Sequence, residues 1–346
     1  MRIALDAMGT DRHPDVEVQG AVQALRELPG DFRIVLVGDQ AKIEAELAKV
    51  GDYPRDRLDI VHAAQTITAS DSPATAVRRK PESSIAIGLT LHKQGEADAF
   101  ISAGNTGAMM AASLFLLGTL PGVARPTVTT MLPTATGPIL LTDAGANVDC
   151  KPQHLRQFAQ LAAVYAKDVL GVANPRIGLL NIGEEPEKGN ELAVETHRLL
   201  SESDLNFVGN IEGRDIIRGA CDVLVTDGFV GNVLLKFYES VATFMYRLVA
   251  KGLGEKAAEV DLDRIFHLFD WTEYGGAPLL GVNGVSIICH GGSPPRAIRN
   301  AIRVAIQAVE NRMIGHIQAE IQAHGGAGEG VVETTREKAG RVPEGA

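Results

Sequence analysis

Short apolar runs alternate with longer amphipathic stretches along most of this chain. The runs are typical of buried strands, and the stretches between them repeat apolar residues at helical spacing. This alternation predicts a mostly parallel sheet with helices on its faces, and the runs that flank PTATGP predict one antiparallel hairpin. Strands are predicted at 2–5, 32–37, 58–62, 97–102, 127–132, 139–142, 176–182, 207–211, 223–225, 278–282 and 285–289, and helices at 14–28, 41–50, 83–93, 152–170 and 192–201.

The clearest unit is the stretch at 221–241, CDVLVTDGFVGNVLLKFYESV. It predicts a buried strand, a polar turn that contains Asp227, and a helix that begins at Gly231 and Asn232. Glycines let the backbone approach a ligand closely, and the free N–H groups of a helix start attract anions. The unit therefore predicts an anion-binding turn.

Polar turns rich in glycine follow seven of the predicted strands. In a mostly parallel sheet the carboxyl ends of the strands share one edge, where ligands bind. We therefore expect these turns to converge into one polar cleft. They begin at Asp6, Ser102, Asp143, Asn181, Asn210, Asp227 and His290.

No linker or internal repeat divides the chain, so residues 1–324 are predicted to form a single catalytic α/β body. Within it, 68–80 is predicted to be a polar loop and 243–269 to be helical. Ser293 is predicted to cap a last helix that runs to about His324. Residues 325–346 lack apolar periodicity and are predicted to form a flexible tail.

The chain has 346 residues and a formal net charge of −10, which argues against a nucleic-acid-binding protein because such proteins carry a basic face. The longest apolar run, at 108–117, is too short to span a bilayer, so a cytoplasmic protein is expected. No histidine or cysteine cluster has metal-ligand spacing, and neither a metal nor another cofactor is predicted. The chain has no GxSxG elbow or Walker loop, and its glycines at 326–330 lack the strand that precedes a dinucleotide fingerprint.

Eight sequence runs, in order over about residues 1–320, resemble the signature runs of the bacterial phosphate acyltransferase family. They are DAMGTD, ISAGNTGA, TDAGANVDCKP, LLNIGEEPEKGNE, FVGNIEGRDI, VTDGFVGNVLLK, YGGAPLLGVNG and HGGS. The resemblance implies a three-layer αβα, Rossmann-like fold related to phosphotransacetylases and isocitrate dehydrogenases. It also implies a homodimer that transfers a fatty acyl group from acyl carrier protein to inorganic phosphate, giving acyl phosphate for phospholipid synthesis.

Two features depart from the family pattern. Thr10 stands where the first run usually has glycine, which tightens that loop. The helical segment 238–274 is shorter and more charged than the hairpin with which some relatives touch membrane. Val241, Phe244 and Leu248 can still form an apolar face, so dimer packing and peripheral contact with the inner face of the membrane both stay open.

Inorganic phosphate is already an anionic nucleophile at neutral pH, so the reaction needs orientation and oxyanion donors more than a strong base. We predict Lys188 as a cation near phosphate, Asn232 as a donor, Asp227 as a group that orients a lysine, and His290 as an acid. Each also has a structural interpretation, such as a solvated lysine or a turn cap. The predicted substrate-binding residues are Asp6, Gly9, Ser102, Gly104, Asn105, Thr106, Asp143, Asn147, Asn181, Glu184, Asn190, Asn210, Arg214 and Gly231.

An acidic carrier protein needs a local basic patch on an enzyme of charge −10. Arg296, Arg299 and Arg303 fall on one face of the predicted last helix and are the first candidate for this contact. The run RRK at 78–80 is the second, and either patch could be only a solvated surface. Three other functions stay open: a phosphotransacylase that uses short acyl coenzyme A, an NAD-dependent decarboxylating dehydrogenase, and a non-catalytic acyl-protein scaffold.

Overall fold

The computed structural model describes residues 1–68, 70–254, 260–266 and 271–324. Its strands are β1 Arg2–Asp6, β2 Arg33–Gly38, β3 Leu58–His62, β4 Ala99–Ser102, β5 Thr127–Leu132, β6 Ile139–Thr142, β7 Ile177–Leu180, β8 Phe207–Ile211, β9 Val223–Val225, β10 Ala277–Leu280 and β11 Val285–Ile288. They form one sheet in the order β3-β2-β1-β4-β11-β10-β5-β6-β9-β7-β8. Every predicted strand is confirmed, with ends that differ by two residues or fewer.

Helices cover both faces of this sheet. They are α1 Asp15–Glu27, α2 Gln40–Val50, α3 Pro73–Arg79, α4 Ser84–Lys93, α5 Thr106–Leu116, α6 Pro152–Asp168, α7 Glu191–Ser201, α8 Gly213–Ile216, α9 Gly228–Leu253, α10 Leu262–Phe266, α11 Pro295–Glu310 and α12 Met313–Ala323. Side chains alternate along each strand between the two faces. Ile3 and Leu5 of β1 join a core with α1, α2, α6, α11 and α12, whereas Ala4 joins a second core with α3, α4 and α5. The three-layer αβα fold is therefore confirmed.

Strand direction reverses across the middle of the sheet. The strands from β3 to β11 run parallel to one another, and those from β6 to β8 also run parallel to one another. Between them, β10 is antiparallel to both β11 and β5, and β5 is antiparallel to β6. Three antiparallel steps leave the two groups pointing in opposite directions. The carboxyl ends of β1, β4 and β11 thus lie at one edge, and those of β6, β7, β8 and β9 lie at the other. The prediction that seven strand-end turns share one edge is wrong for this reason.

Several local predictions also need correction. Part of the predicted polar loop at 68–80 is α3, because Ala76 and Val77 are buried and anchor a short helix. The predicted last helix is two helices, since Arg312 adopts a left-handed φ of 52° between α11 and α12. The predicted helical segment 243–269 comprises the end of α9, then α10, with residues 255–259 and 267–269 outside the described residues. The predicted tail at 325–346 also lies outside them.

Helix α9 begins earlier than predicted, at Gly228 rather than Gly231, because Asp227 caps it. It continues for 26 residues and packs against β6 of the sheet. Beyond that point one side is apolar and exposed, with Phe237 at 63% and Phe244 at 62% exposure. None of the helices in the described residues is both long and apolar enough to cross a membrane.

Candidate active site

A cleft of about 1360 Å³ crosses the middle of the sheet, over the antiparallel strands β5 and β10. The starts of three helices meet at this cleft: Thr106 opens α5, Asn232 lies in the second turn of α9, and Ser293 and Arg296 flank the start of α11. Helix starts carry a partial positive charge, so three of them at one cleft favour an anion. Apolar and aromatic side chains also line the cleft, and we call them the apolar wall: Met110, Val128, Leu132, Leu235, Tyr238 and Ile288.

Ser293 is the most informative polar residue of the cleft. Its predicted role as the cap of α11 is wrong, because Pro294 occupies the cap position and makes no side-chain cap bond. Ser293 is only 3% exposed, and its Oγ has no hydrogen-bond partner in the part of the chain that the structure describes. A buried hydroxyl without a partner costs free energy unless a water or ligand satisfies it. Ser293 therefore supplies an open polar group next to the start of a 16-residue helix.

His290 lies beside Ser293, in the turn that connects β11 to α11. The N–H group of Gly292 donates to His290 Nδ1 at 3.0 Å. Since a backbone N–H can only donate, Nδ1 accepts this bond, and Nε2 is the ring nitrogen that carries a proton. The His290 ring lines the cleft. Arg296 also lines the cleft, where its guanidinium forms an ion pair with Glu273 at 2.7 Å.

The start of α9 brings Asn232 to the opposite side of the cleft. Asp227 Oδ1 accepts from the N–H groups of Phe229 and Val230, both at 2.9 Å, so Asp227 is the cap of α9. The predicted contact of Asp227 with a lysine is absent from the described residues, where the ion-pair partner of Lys236 is Glu239.

Gly231 lets α9 pack tightly on the turn after β6. A Cβ atom at Gly231 would lie 1.9 Å from the carbonyl oxygen of Asp143. The same close packing sets Asn232 beside Gly145, whose own Cβ position would be 3.4 Å from Asn232 Cβ. Gly231 therefore allows α9 to pack closely on this turn, and this packing fixes the position of Asn232.

Asp143 organises the turn on which α9 rests. Its carboxylate accepts from the N–H groups of Val128, Gly145, Ala146 and Asn147, and from the side-chain amide of Asn147. Burial raises the pKa of Asp143, and these hydrogen bonds oppose that shift. Asp143 is fully buried and Asn147 nearly so. These two predicted substrate-binding residues therefore shape the turn beneath the cleft.

Asp6, Ser102, Gly104 and Gly9 form a similar support below the start of α5. Ser102 Oγ donates to Asp6 Oδ2 at 2.6 Å and accepts from the N–H group of Gly104. A Cβ atom at Gly9 would lie 2.7 Å from the nitrogen of Gly104, so the two turns are in direct contact. Asn105 caps α5 by accepting from the N–H group of Ala108. Of this group of turns, Thr106 is the predicted residue that lines the cleft.

Glu17, which the sequence did not single out, lies beneath the same turns. It is fully buried, and its Oε1 accepts from the N–H group of Thr10 at 2.6 Å. Its Oε2 has no hydrogen-bond partner in the described ranges. Burial raises the pKa of Glu17 to about 7, and the nearby charge of Asp6 adds to this shift. The loop between β1 and α1 contacts the turn that contains His290, because the N–H group of Asp11 donates to the carbonyl of Gly291.

The loop after β7 lies outside the cleft lining as far as the structure describes it. Asn181 donates to the carbonyl of Lys188, and Asn190 caps α7. Arg214 pairs with Glu184 at 3.3 Å, and Asn210 donates to the carbonyl of Glu185. These predicted residues, from the loop after β7 and from β8 and α8, contact one another. They do not line the described cleft to which Asn232 and His290 belong. The catalytic role of Lys188 stays a prediction.

The three arginines of α11 have partners within the fold. Arg296 pairs with Glu273, and Arg299 pairs with Glu27 at 3.3 Å. Arg303 lies against the carbonyl of Glu273. Two of the three charges are thus neutralised by carboxylates, which weakens the prediction that this face binds an acidic carrier protein.

Comparison with known proteins identifies the family and the fold of this chain. The family model described as "Fatty acid synthesis protein" matches residues 1–316. The phosphate acyltransferase of Heliobacterium modesticaldum is 50% identical, and that of Desulforamulus reducens is 48% identical; each match covers 93% of this chain and 98% of the relative. Among solved structures, a phosphotransacetylase from Streptococcus pyogenes has a TM-score of 0.60 at 20% identity, covering 90% of this chain and 94% of that one, which shows a shared fold. The resemblance seen in the sequence is therefore confirmed: the chain belongs to the family of fatty acid synthesis proteins that includes these phosphate acyltransferases.

Proposed function

We propose that this acyltransferase moves a fatty acyl group from acyl carrier protein to inorganic phosphate, and that the acyl phosphate serves phospholipid synthesis. The observation that carries the proposal is the meeting of three helix starts at one cleft that also has an apolar wall. The helix starts suit phosphate, and the wall suits an acyl chain. Acyl transfer to phosphate brings these two ligands together.

Phosphate binds at the start of α11 in this proposal. Ser293 Oγ donates to one phosphate oxygen, and the partial positive charge at the start of α11 attracts the others. His290, in the turn before α11, and Arg296, in the first turn of that helix, line the cleft beside this site. The remaining phosphate oxygen is already anionic at neutral pH, so positioning alone makes it a nucleophile toward the thioester carbon.

The thioester carbonyl lies between this phosphate and the start of α9. As the phosphate oxygen attacks, negative charge develops on the carbonyl oxygen, and the Asn232 side-chain amide donates to it. The tetrahedral intermediate then collapses: the carbon–sulfur bond breaks, and the thiolate of the carrier leaves with its electron pair. A thiol has an ordinary pKa of about 8.5, so a single N–H donor such as His290 is enough to assist departure.

The apolar wall bears on the choice between a fatty acyl donor and short acyl coenzyme A. An acetyl group covers little of a surface built from six apolar or aromatic residues on α5, β5, β11 and α9. Each methylene buried there contributes about 0.8 kcal/mol. A long chain therefore gains binding free energy that a short one cannot, which supports the fatty acyl donor.

A homodimer and peripheral membrane contact are both proposed for the exposed side of α9. Phe229, Val233, Phe237 and Phe244 follow one another at four or seven residues and form a stripe that a second copy would cover. Farther along, Leu248 is 51% exposed, near Arg247 and Lys251 on the same helix, a combination that suits an anionic lipid surface. Phe237→Asp should lower the mass in sedimentation, whereas Leu248→Asp should reduce flotation with anionic vesicles.

The main test supplies the protein with acyl-carrier-protein thioester and radiolabelled phosphate. Phosphate-dependent release of the carrier thiol, with label in extractable acyl phosphate, is expected. Ser293→Ala should raise the KM for phosphate at least tenfold, while Ser201→Ala, on α7, should not. Absence of labelled product would refute the proposal. Equal rates with acetyl coenzyme A and with the carrier-protein thioester would favour the short-acyl alternative. In the same assay, unchanged turnover of Lys188→Ala would remove Lys188 from the mechanism.

A further inference from the structure

A donor carried by an acidic protein requires an accessible basic surface near the cleft. The α11 arginines meet this requirement poorly, because Glu273 and Glu27 neutralise two of them and the Arg299 side chain is only 24% exposed. Lys236 of α9 is paired with Glu239. These ion pairs make α11 and Lys236 weak candidates for a docking surface with net positive charge.

The end of α3 offers such a surface. Arg78 and Arg79 occupy its last turn, both are exposed, and neither forms an ion pair within the described residues. Lys80 differs from them, because it pairs with Asp71 at 2.6 Å. The Arg78 guanidinium lies 5.0 Å from the centre of the Phe115 ring on α5, which holds the charge in place without neutralising it.

Exposed apolar residues adjoin these charges. Phe115 is 57% exposed and Leu114 is 40% exposed, although both belong to a helix that packs on the sheet. We call Arg78, Arg79, Leu114 and Phe115 the α3–α5 surface. Apolar side chains within a basic rim are typical of a site that binds an acidic protein.

The α3–α5 surface is continuous with the cleft. Thr106, Met110 and Leu114 are spaced by four residues, so they lie along one side of α5, about 12 Å from first to last. The first two line the cleft, and the third belongs to the α3–α5 surface. The two helices are packed together at their starts, where a Cβ atom at Gly107 would lie 2.9 Å from Pro73 Cγ. A flexible thioester arm could therefore follow this side of α5 from a docked carrier to the cleft.

We propose that the α3–α5 surface is where the acidic acyl carrier protein docks. Arg78 and Arg79 bind carboxylates of the carrier, Leu114 and Phe115 contact its apolar side chains, and the acyl thioester enters along α5. This inference rests on the proposed function, because it assumes a protein-borne acyl donor. Charge attraction of this kind mainly raises the rate at which the carrier associates with the enzyme. The KM for the carrier-protein substrate is therefore the kinetic constant that should change most.

The experiment compares Arg78→Glu/Arg79→Glu with the unmodified protein, using the same acyl chain on acyl carrier protein and on coenzyme A. The KM for the carrier-protein substrate should rise at least tenfold at low salt and lose most of its salt dependence. The rate with acyl coenzyme A should stay within twofold, which also shows that the variant is folded. Lys42→Glu/Lys49→Glu is the matched control, because it makes the same change in charge on α2, a helix on the opposite face of the sheet.

The outcomes separate the two proposals. A normal KM for the carrier-protein substrate in the Arg78→Glu/Arg79→Glu variant overturns the docking surface and leaves the proposed function intact. An equal rise in KM for the control pair shows a general charge effect and also overturns it. If the unmodified protein does not use the carrier-protein substrate at all, the proposed function and the docking surface fail together.

Discussion

Replacing Glu17 by glutamine should make the stability of this protein much less sensitive to pH. Glu17 is fully buried, and burial raises the pKa of its carboxyl group from 4.5 to about 7. The folded protein therefore prefers the protonated form. The stability that depends on this proton is complete below pH 4.5 and is lost as the pH rises through about 7.

The size of the effect follows from the pKa shift. Each pKa unit corresponds to about 1.4 kcal/mol, so a change from 4.5 to about 7 lowers the free energy of unfolding by about 3 kcal/mol. Glutamine has nearly the same shape and keeps an oxygen that can accept from the N–H group of Thr10. Glu17→Gln thus removes the titration while retaining the hydrogen bond.

The measurement is urea unfolding of both proteins at equal concentration between pH 4.5 and 8.5. The free energy of unfolding of Glu17→Gln minus that of the unmodified protein should rise by about 1.4 kcal/mol per pH unit between pH 5 and 7, and then level off. Glu82→Gln, at an exposed position, is the matched control and should give a flat difference. A flat or falling difference for Glu17→Gln would refute the reasoning, because it would mean that Glu17 is ionised in the folded protein.

Three further predictions concern the cleft. Asp227→Ala should cost about 1 kcal/mol of stability through loss of the α9 cap, measured by urea unfolding, and full retention of stability would contradict that role. Gly231→Ala should cost about 1–3 kcal/mol and lower turnover, since its Cβ would meet the Asp143 carbonyl; Gly252→Ala, on the same helix with open space around it, should not destabilise. Met110→Trp should raise the KM for long acyl chains more than for short ones, and an equal effect on both would argue against the apolar wall.

The strands and their order of appearance could be predicted because each is a short apolar run between polar turns. Their directions could not, because direction depends on how strands pair in the sheet. The hairpin at β5 and β6 was predicted, but the antiparallel pairing of β10 with β5 joins segments far apart in sequence. Because this pairing sets the direction of each strand, it also decides at which edge of the sheet each strand-end turn lies.

The candidate site shows the same limit. Asn232, His290 and Thr106 were predicted from polar turns, and they do line one cleft. Ser293 was interpreted as a cap because serine commonly precedes a helix, and only the start of α11 one residue beyond Pro294 shows that its hydroxyl is open. Glu17 gave no signal, since a glutamate on an amphipathic helix is ordinarily exposed.

The way β10 joins the sheet has a mechanical consequence. Ala277 and Pro278 pair with β11, whereas Leu279 and Leu280 pair with β5, so one four-residue strand connects the first group to β5, which pairs in turn with the second group. Few ladder hydrogen bonds cross that seam, and the cleft lies directly over it. Bending of the sheet would therefore concentrate at β10. Such a bend would change the distance between Ser293, before α11, and Asn232, on α9, without deforming either group of strands. The pairing of β10 thus gives the cleft a hinge.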